Sequence, residues 1–170
     1  IGVLPDPEVI VPHLLGALYD KLHRALARQQ IDSVGVSFPK YSTVPRQLGD
    51  TLRLHGSEAT LRTFLQLDWL RALRDHVRVS EVAAAPAGAP HRSVSRRQFK
   101  SSVDRLRRRR MKRKGETAQQ AAQAVPASAA QKPNLPYVHL HSLSTLQPFC
   151  LFIAMSEPQA HAVVGTFNSY

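Results

Sequence analysis

Only one cysteine, Cys150, occurs in these 170 residues, which excludes an internal disulfide and a multi-thiolate zinc site and fits a reducing compartment. Long apolar runs are missing as well. Nothing approaches the roughly 18 consecutive apolar residues of a membrane-spanning helix, and the opening Ile1-Gly2-Val3-Leu4-Pro5 lacks the basic-then-apolar layout of a secretory signal. A cytoplasmic location without membrane contact is the resulting expectation. Because the chain opens on Ile and closes on Tyr170, a few residues are expected to be missing at both ends. There is no phosphate-cradling glycine-rich loop, no Gly-x-Ser-x-Gly nucleophile elbow and no carboxylate cluster for two metals. Hydrolases that depend on such sites are therefore not expected.

Acidic residues are scarce in one half of the chain. Residues 1–88 carry ten Lys and Arg against nine Asp and Glu, whereas residues 89–170 carry thirteen against three. Nearly all of the net charge of +11 thus lies in the second half, which calls for a polyanion, nucleic acid before an anionic membrane surface. With 43% hydrophobic residues the chain has enough apolar material to fold.

Hydrophobic periodicity organises the first half. Residues 1–4 read as a strand, ended by Pro5-Asp6-Pro7. Leu14, Leu15, Leu18, Leu22, Ala25 and Leu26 then form one stripe of a helix from about Val11 to Gln30. Ser33–Phe38 and Thr51–His55 read as strands, Ser57 as the N-cap of helical sequence reaching about Asp75, and Val77–Val82 as a closing strand. That order matches a ferredoxin-like, RRM-like domain over residues 1–88. The stretch from Ala83 to Pro90 has neither charge nor periodicity and marks a boundary.

Residues 89–170 read as a smaller basic α+β domain. An extended segment from Val94 to Gln98 leads to a helix over about Ser102–Lys114, with Ser101 and Asp104 resembling a capping box and Gly115 suiting its end. Residues 116–133 read as a further helix and a loose connection. Tyr137–Ser142, Phe149–Ala154 and Val163–Tyr170 read as strands, with Cys150 a small core residue.

Eight of the ten residues from Arg105 to Lys114 are basic. A charge run is commonly just a solvated face, and a nuclear localisation signal is equally basic. Here positive charge surrounds the helix with little acidic compensation, so phosphates are the natural counter-charge. Whether those phosphates belong to RNA or DNA is not encoded in charge. Arg96 and Gln98 alternate along an extended segment, as bidentate readers of guanine and adenine edges would, although two polar residues on an exposed strand are commonplace. His139 and His141 are two apart with no nearby carboxylate, so no metal site is expected. His23, at the edge of the first helix's apolar stripe, reads either as a partly buried structural histidine or as a proton-transfer group.

Several ordered stretches together resemble one family, the type I-F CRISPR repeat-hairpin endoribonuclease. They are Pro5-Asp6-Pro7-Glu8, Lys21-Leu22-His23 with Ala25-Leu26, Gly35-Val36-Ser37-Phe38-Pro39, Trp69-Leu70 and Leu73-Arg74-Asp75-His76. They continue through Val94-Ser95-Arg96, Gln98, Lys100-Ser101, Arg105-Leu106-Arg107-Arg108-Arg109, Ser142, Ser144-Thr145, Phe149, Leu151-Phe152-Ile153, Phe167 and Tyr170. Lys112 and Lys114 stand where the family more often has Arg or His, and Cys150 where it can have a basic residue.

The resemblance implies a metal-independent enzyme, without cofactor, that binds the CRISPR RNA repeat stem-loop and cleaves at the 3′ base of its stem. It also implies retention on the hairpin beside other surveillance-complex subunits, including the protein that coats the crRNA backbone. By the same resemblance the catalytic residues are His23, Ser142 and Tyr170, the base readers are Arg96 and Gln98, and the groove-inserted helix contacts RNA through Arg108, Arg109, Lys112 and Arg113. Phe149 would stack on the terminal base pair. His23 would act as base, as acid or as an orienting group. The residue-level alternative is a hairpin-binding scaffold without catalysis.

Overall fold

The computed structural model describes residues 1–99, 102–130, 133–142, 147–163, 165 and 167. It is mixed α and β with small antiparallel sheets, and by packing it forms two compact units, residues 1–96 with 135–170, and residues 97–134. These units do not coincide with the expected division at residue 88. The C-terminal strands return to the first-half scaffold because their apolar face is covered there.

In the larger unit, the first helix, α1 (Val11–Gln29), buries Leu14, Leu15, Leu18, Leu22, Ala25 and Leu26, the stripe anticipated from periodicity. Its N-cap, Ile10, has no capping side chain. Just upstream, the Asp6 carboxylate accepts the backbone N–H groups of Glu8 and Val9 at 2.8 and 2.9 Å and lies 3.1 Å from His76 Nδ1. Those two backbone bonds hold the Asp6 carboxyl below its ordinary value; desolvation opposes them, and His76, through its charge and hydrogen bond, assists to a lesser degree.

Strand β1 (Gly2–Val3) pairs antiparallel with the strand Val77–Arg78 and, on its other side, with Asp50–Leu52 through Val3 N–H to the Asp50 carbonyl, 2.7 Å, and Leu52 N–H to the Ile1 carbonyl, 2.9 Å. The latter segment runs on into Arg53–His55, which pairs antiparallel with β2 (Gly35–Ser37). Between these, a hairpin of β3 (Ser42–Thr43) and β4 (Arg46–Gln47) was not anticipated, since two-residue strands carry no readable alternation. In chain order Arg53–His55 is β5 and Val77–Arg78 is β6, the latter much shorter than the expected Val77–Val82.

Helix α2 (Glu58–Gln66) starts at Ser57, whose hydroxyl accepts the Thr60 N–H at 3.1 Å as a capping residue should. The helical sequence beyond it is broken at Leu67, which is extended. A 3₁₀ stretch, Asp68–His76, follows and brings Trp69 to 5.2 Å from the Phe64 ring.

A three-stranded sheet completes this unit. It consists of β7 (Val94–Arg97), β8 (Tyr137–His141) and β9 (Pro148–Met155) in the order β7-β9-β8. Val138, Leu140, Leu151 and Ile153 join the α1 core. α1 lies directly on β8, and Gly16 permits this, because a Cβ there would stand 3.1 Å from the His139 carbonyl oxygen. Cys150 is exposed, not a core residue. The register sets it opposite His139 on the outward row, with Cys150 Sγ 3.8 Å from His139 Nδ1, while its neighbours Leu151 and Phe149 lie on the other face. Among the described residues after Val163, 165 and 167 are not in a strand, and the rest of the strand expected there lies outside the described residues.

The smaller unit contains α3 (Val103–Lys114) and α4 (Ala118–Ala124). α3 is capped by Ser102, whose hydroxyl accepts the Arg105 N–H, rather than by Ser101, which lies outside the described residues. Gly115 ends the helix at φ 65°, a left-handed conformation that suits glycine. Thr117 and Gln120 form a reciprocal capping box for α4, and Ala121 is fully buried. No helix among the described residues is long and apolar enough to cross a membrane.

Candidate nucleic-acid interface and active site

The cations of α3 are divided between two tasks. Arg107 Nε donates to the Val125 carbonyl at the end of α4, 2.9 Å away. Arg110 makes a two-pronged contact with Glu116, Nε to Oε2 at 2.8 Å and Nη2 to Oε1 at 2.6 Å. Hydrogen bonding from Arg110 is the main reason that the Glu116 carboxyl lies below its ordinary value, with burial opposing and the Arg110 and Lys114 charges assisting. These two arginines therefore brace α3 against the segment that follows it.

Arg105, Arg108, Arg109, Lys112 and Arg113 are exposed. Positions 105, 108, 109 and 112 follow the i, i+3, i+4, i+7 pattern of one helix face, and 113 adjoins it. Arg108 Nε also lies 3.4 Å from the Asp104 carbonyl, a weak tether at the helix start. The four helix residues expected to contact RNA thus share a stripe with Arg105, which the sequence reading did not single out. Helical-wheel arithmetic would have grouped it with them, but only the fold shows that Arg107 and Arg110 are engaged elsewhere.

Arg96 is exposed on β7, and Gln98 is exposed one residue beyond that strand. Val94, two residues before Arg96 and so on the same face, packs against the core. Arg96 also reaches Tyr19 of α1 electrostatically: burial raises the Tyr19 phenol's pKa, and the nearby Arg96 charge partly opposes that rise. Tyr19 precedes His23 by four residues, one turn along α1. Sequence inspection did not mark Tyr19, because a tyrosine beside a leucine stripe looks like ordinary packing. Phe149, 37% exposed, stands opposite Leu140 at the outer end of the core-facing row of β9.

His23 is half-buried on α1, and Ser142 is half-buried immediately after β8, with its N–H bonded to the Gln147 carbonyl at 3.0 Å. α1, which carries His23, packs on β8, and Ser142 is the first residue after that strand. Tyr170 lies outside the described residues. His139 and His141 project from the outward row of β8, where Tyr137 meets the His139 ring edge-on at 5.0 Å. Among the described residues no three His, Cys, Asp or Glu side chains gather as a metal-binding group.

Comparison with known proteins adds to this geometry. The model of the family described as CRISPR-associated protein (Cas_Csy4) matches residues 1–170. A "CRISPR-associated endonuclease Cas6/Csy4" of Pseudomonas aeruginosa (strain UCBPP-PA14) is 42% identical over 170 residues, covering all of this chain and 91% of that protein. A protein of the same name from Escherichia coli (strain UTI89 / UPEC) is 39% identical over the same length, with the same coverage.

Proposed function

The chain belongs to the Cas_Csy4 family of CRISPR-associated proteins, and from that premise we propose that it is a metal-independent endoribonuclease that binds the CRISPR repeat stem-loop, cleaves at the 3′ base of the stem and stays on the product hairpin. The observation that carries this reading is the full-length match to relatives named endonucleases. The outward stripe of five cations on α3 supports a phosphate-rich partner, since only part of the basic run is engaged within the protein. A ferredoxin-like arrangement for the first domain is supported by the antiparallel succession of β2, β5 with Asp50–Leu52, β1 and β6, and by helices following the first and third of its main strands.

In the proposed reaction the 2′-oxygen of the nucleotide before the scissile bond attacks the adjacent phosphorus. The 2′-OH proton passes to a base, the bond to the 5′-oxygen breaks, and the departing oxygen takes up a proton. The products are a 2′,3′-cyclic phosphate and a 5′-OH. An imidazole can exchange a proton near neutral pH, which suits His23 to one of these transfers. Ser142, the first residue after the strand packed on α1, would hold the 2′-OH in line, and Tyr170 would orient the imidazole. Arg96 and Gln98 would read base edges, Arg108, Arg109, Lys112 and Arg113 would clasp the stem's phosphates, and Phe149 would stack on the terminal pair. The setting is the cytoplasm, within the type I-F surveillance complex beside the crRNA backbone-coating subunit.

The test is incubation of the protein with labelled repeat RNA in EDTA. One cut at the base of the stem is expected, and a 2′-deoxy substitution at that nucleotide should abolish cutting while leaving binding nearly unchanged. Tight binding with no cut would leave a hairpin-binding scaffold. Cutting that requires Mg²⁺ would overturn the mechanism, and duplex DNA competing as well as the hairpin would overturn the choice of RNA.

A further inference from the structure

The strands of the first half have a second face, turned away from the core. Val3, Leu52 and Val77 are buried, and Val36 and Leu54 pack against the same cluster, so the residues alternating with them point to the other side. The register sets these side by side: Gly35 opposite His55, Ser37 opposite Arg53, and Gly2 opposite Arg78. None of the six is acidic, and none is apolar apart from the glycines.

Phe167 lies on this outer face. A Cβ built on Gly35 would stand 2.3, 2.6 and 2.7 Å from three carbons of its ring, so the ring is seated on the strand where a side chain would otherwise stand. Gly35 is not among the glycines with positive φ, so the ring, not the backbone geometry, is what requires glycine there. With one side against β2 the ring is still 49% exposed, which leaves aromatic surface facing outward. Over Gly2, by contrast, a Cβ would meet nothing within 4 Å, so the sheet there is open to close approach.

Charge and polar groups surround that ring in an ordered way. Arg53 and Arg78 are exposed and form no ion pair among the described residues, whereas Lys40, Arg62 and Arg74 of the same unit each hold a carboxylate. Ser37 Oγ lies 2.7 Å from His55 Nε2, a polar pair between the seat of the ring and Arg53. From Gly35, Arg53 is one strand across and two residues along, about 8 Å, and Arg78 is three strands across, about 20 Å. A stacking ring followed by two unpaired guanidiniums is what a single nucleic-acid strand needs, because its bases are free to stack and its phosphates run alongside. A protein partner would find little apolar area here beyond the one ring.

We infer that this outer face is a second RNA site, which holds a single-stranded segment by stacking a base on Phe167 and pairing phosphates with Arg53 and Arg78. It is distinct from the cation stripe of α3. The choice of RNA over single-stranded DNA rests on the proposed function; the stacking and charge do not.

The experiment titrates a fluorescent, unstructured oligoribonucleotide of about eight nucleotides with free protein and with protein saturated by unlabelled repeat hairpin. Binding is expected in both cases. Phe167→Ala should weaken it roughly 5- to 150-fold, the effect of losing one stacked base, and Phe167→Tyr, which keeps a ring, should retain most of the affinity. Arg53→Gln and Arg78→Gln should each make the log-log salt slope shallower by about 0.7, while Arg62→Gln, away from this face, should not. A strand abasic throughout should bind more weakly and be indifferent to Phe167→Ala. Melting temperature and hairpin affinity of each variant should stay close to wild type.

No binding of the oligonucleotide to free protein would overturn the inference and leave the face to a protein partner. Binding lost on hairpin saturation would reduce the two sites to one, and binding untouched by the Phe167, Arg53 and Arg78 replacements would place the strand elsewhere. Should Phe167→Ala destabilise the protein, the two arginine variants decide the matter through the salt slope. A DNA strand of the same sequence that binds equally well would overturn the choice of RNA. If the hairpin itself does not bind, the proposed function fails, and the free-protein titration still tests this face.

Discussion

Salt dependence of hairpin binding should separate the two groups of arginines on α3. Five exposed cations, Arg105, Arg108, Arg109, Lys112 and Arg113, form the outward stripe. If each neutralises one phosphate, at roughly 0.7 to 0.9 per contact, the log-log slope of affinity against salt should be about −3.5 to −4.5. Between 50 and 200 mM salt that amounts to a loss of roughly 100- to 500-fold in affinity. Arg109→Gln should make the slope shallower by about 0.7 to 0.9. The paired replacement Arg110→Gln with Glu116→Gln leaves the net charge unchanged and removes the brace within the smaller unit. It should lower the melting temperature and leave the slope as in wild type. Fluorescence anisotropy over a salt series, with a thermal melt of each variant, measures both quantities. A slope change from the paired replacement as large as that from Arg109→Gln would refute the division of labour. A wild-type slope near zero would remove the electrostatic account altogether.

His23→Ala should cut single-turnover cleavage by about 10² to 10⁴ while hairpin affinity stays within a few fold, whereas a structural histidine would lose stability, binding and cutting together. Arg96→Ala should relax discrimination at one base pair by about 1 to 3 kcal/mol, read by binding to hairpins changed at single positions; an equal loss against every sequence would mean that Arg96 touches only backbone. Asp6→Ala should lower the melting temperature at pH 7, because the carboxylate form is favoured in the folded state by two backbone N–H groups and His76. A depressed folded pKa contributes stability above the ordinary carboxyl value of 3.8 and loses it as pH falls through the folded value, so the difference between variant and wild type should shrink below about pH 4. A difference that persists unchanged at pH 2 would argue against that origin.

Much of this protein was legible in the chain because the signals are local. The leucine stripe of α1, the Ser57 cap, the Gly115 stop and the basic run each depend on residues within a few turns of one another, and the helical period or the sign of the charge exposes them directly. The ordered residues that carry the family resemblance were equally visible, and the proposed roles of His23, Ser142, Tyr170 and the cations of α3 rest on that resemblance. The 3₁₀ stretch after α2 was misread because its apolar residues continue the helical spacing, while the break at Leu67 accompanies the approach of Trp69 to Phe64.

What the tertiary structure alone decided depends on partners distant in sequence or on register. The apolar run from Phe149 to Ile153 has no alternation from which to choose a face, and pairing with β8 turned Cys150 outward. Arg107 and Arg110 look like the other cations until Val125 and Glu116 are brought against them. The return of β8 to α1 joins residues more than a hundred positions apart. No local period encodes such contacts, because they are set by which apolar faces can cover one another once the chain is compact.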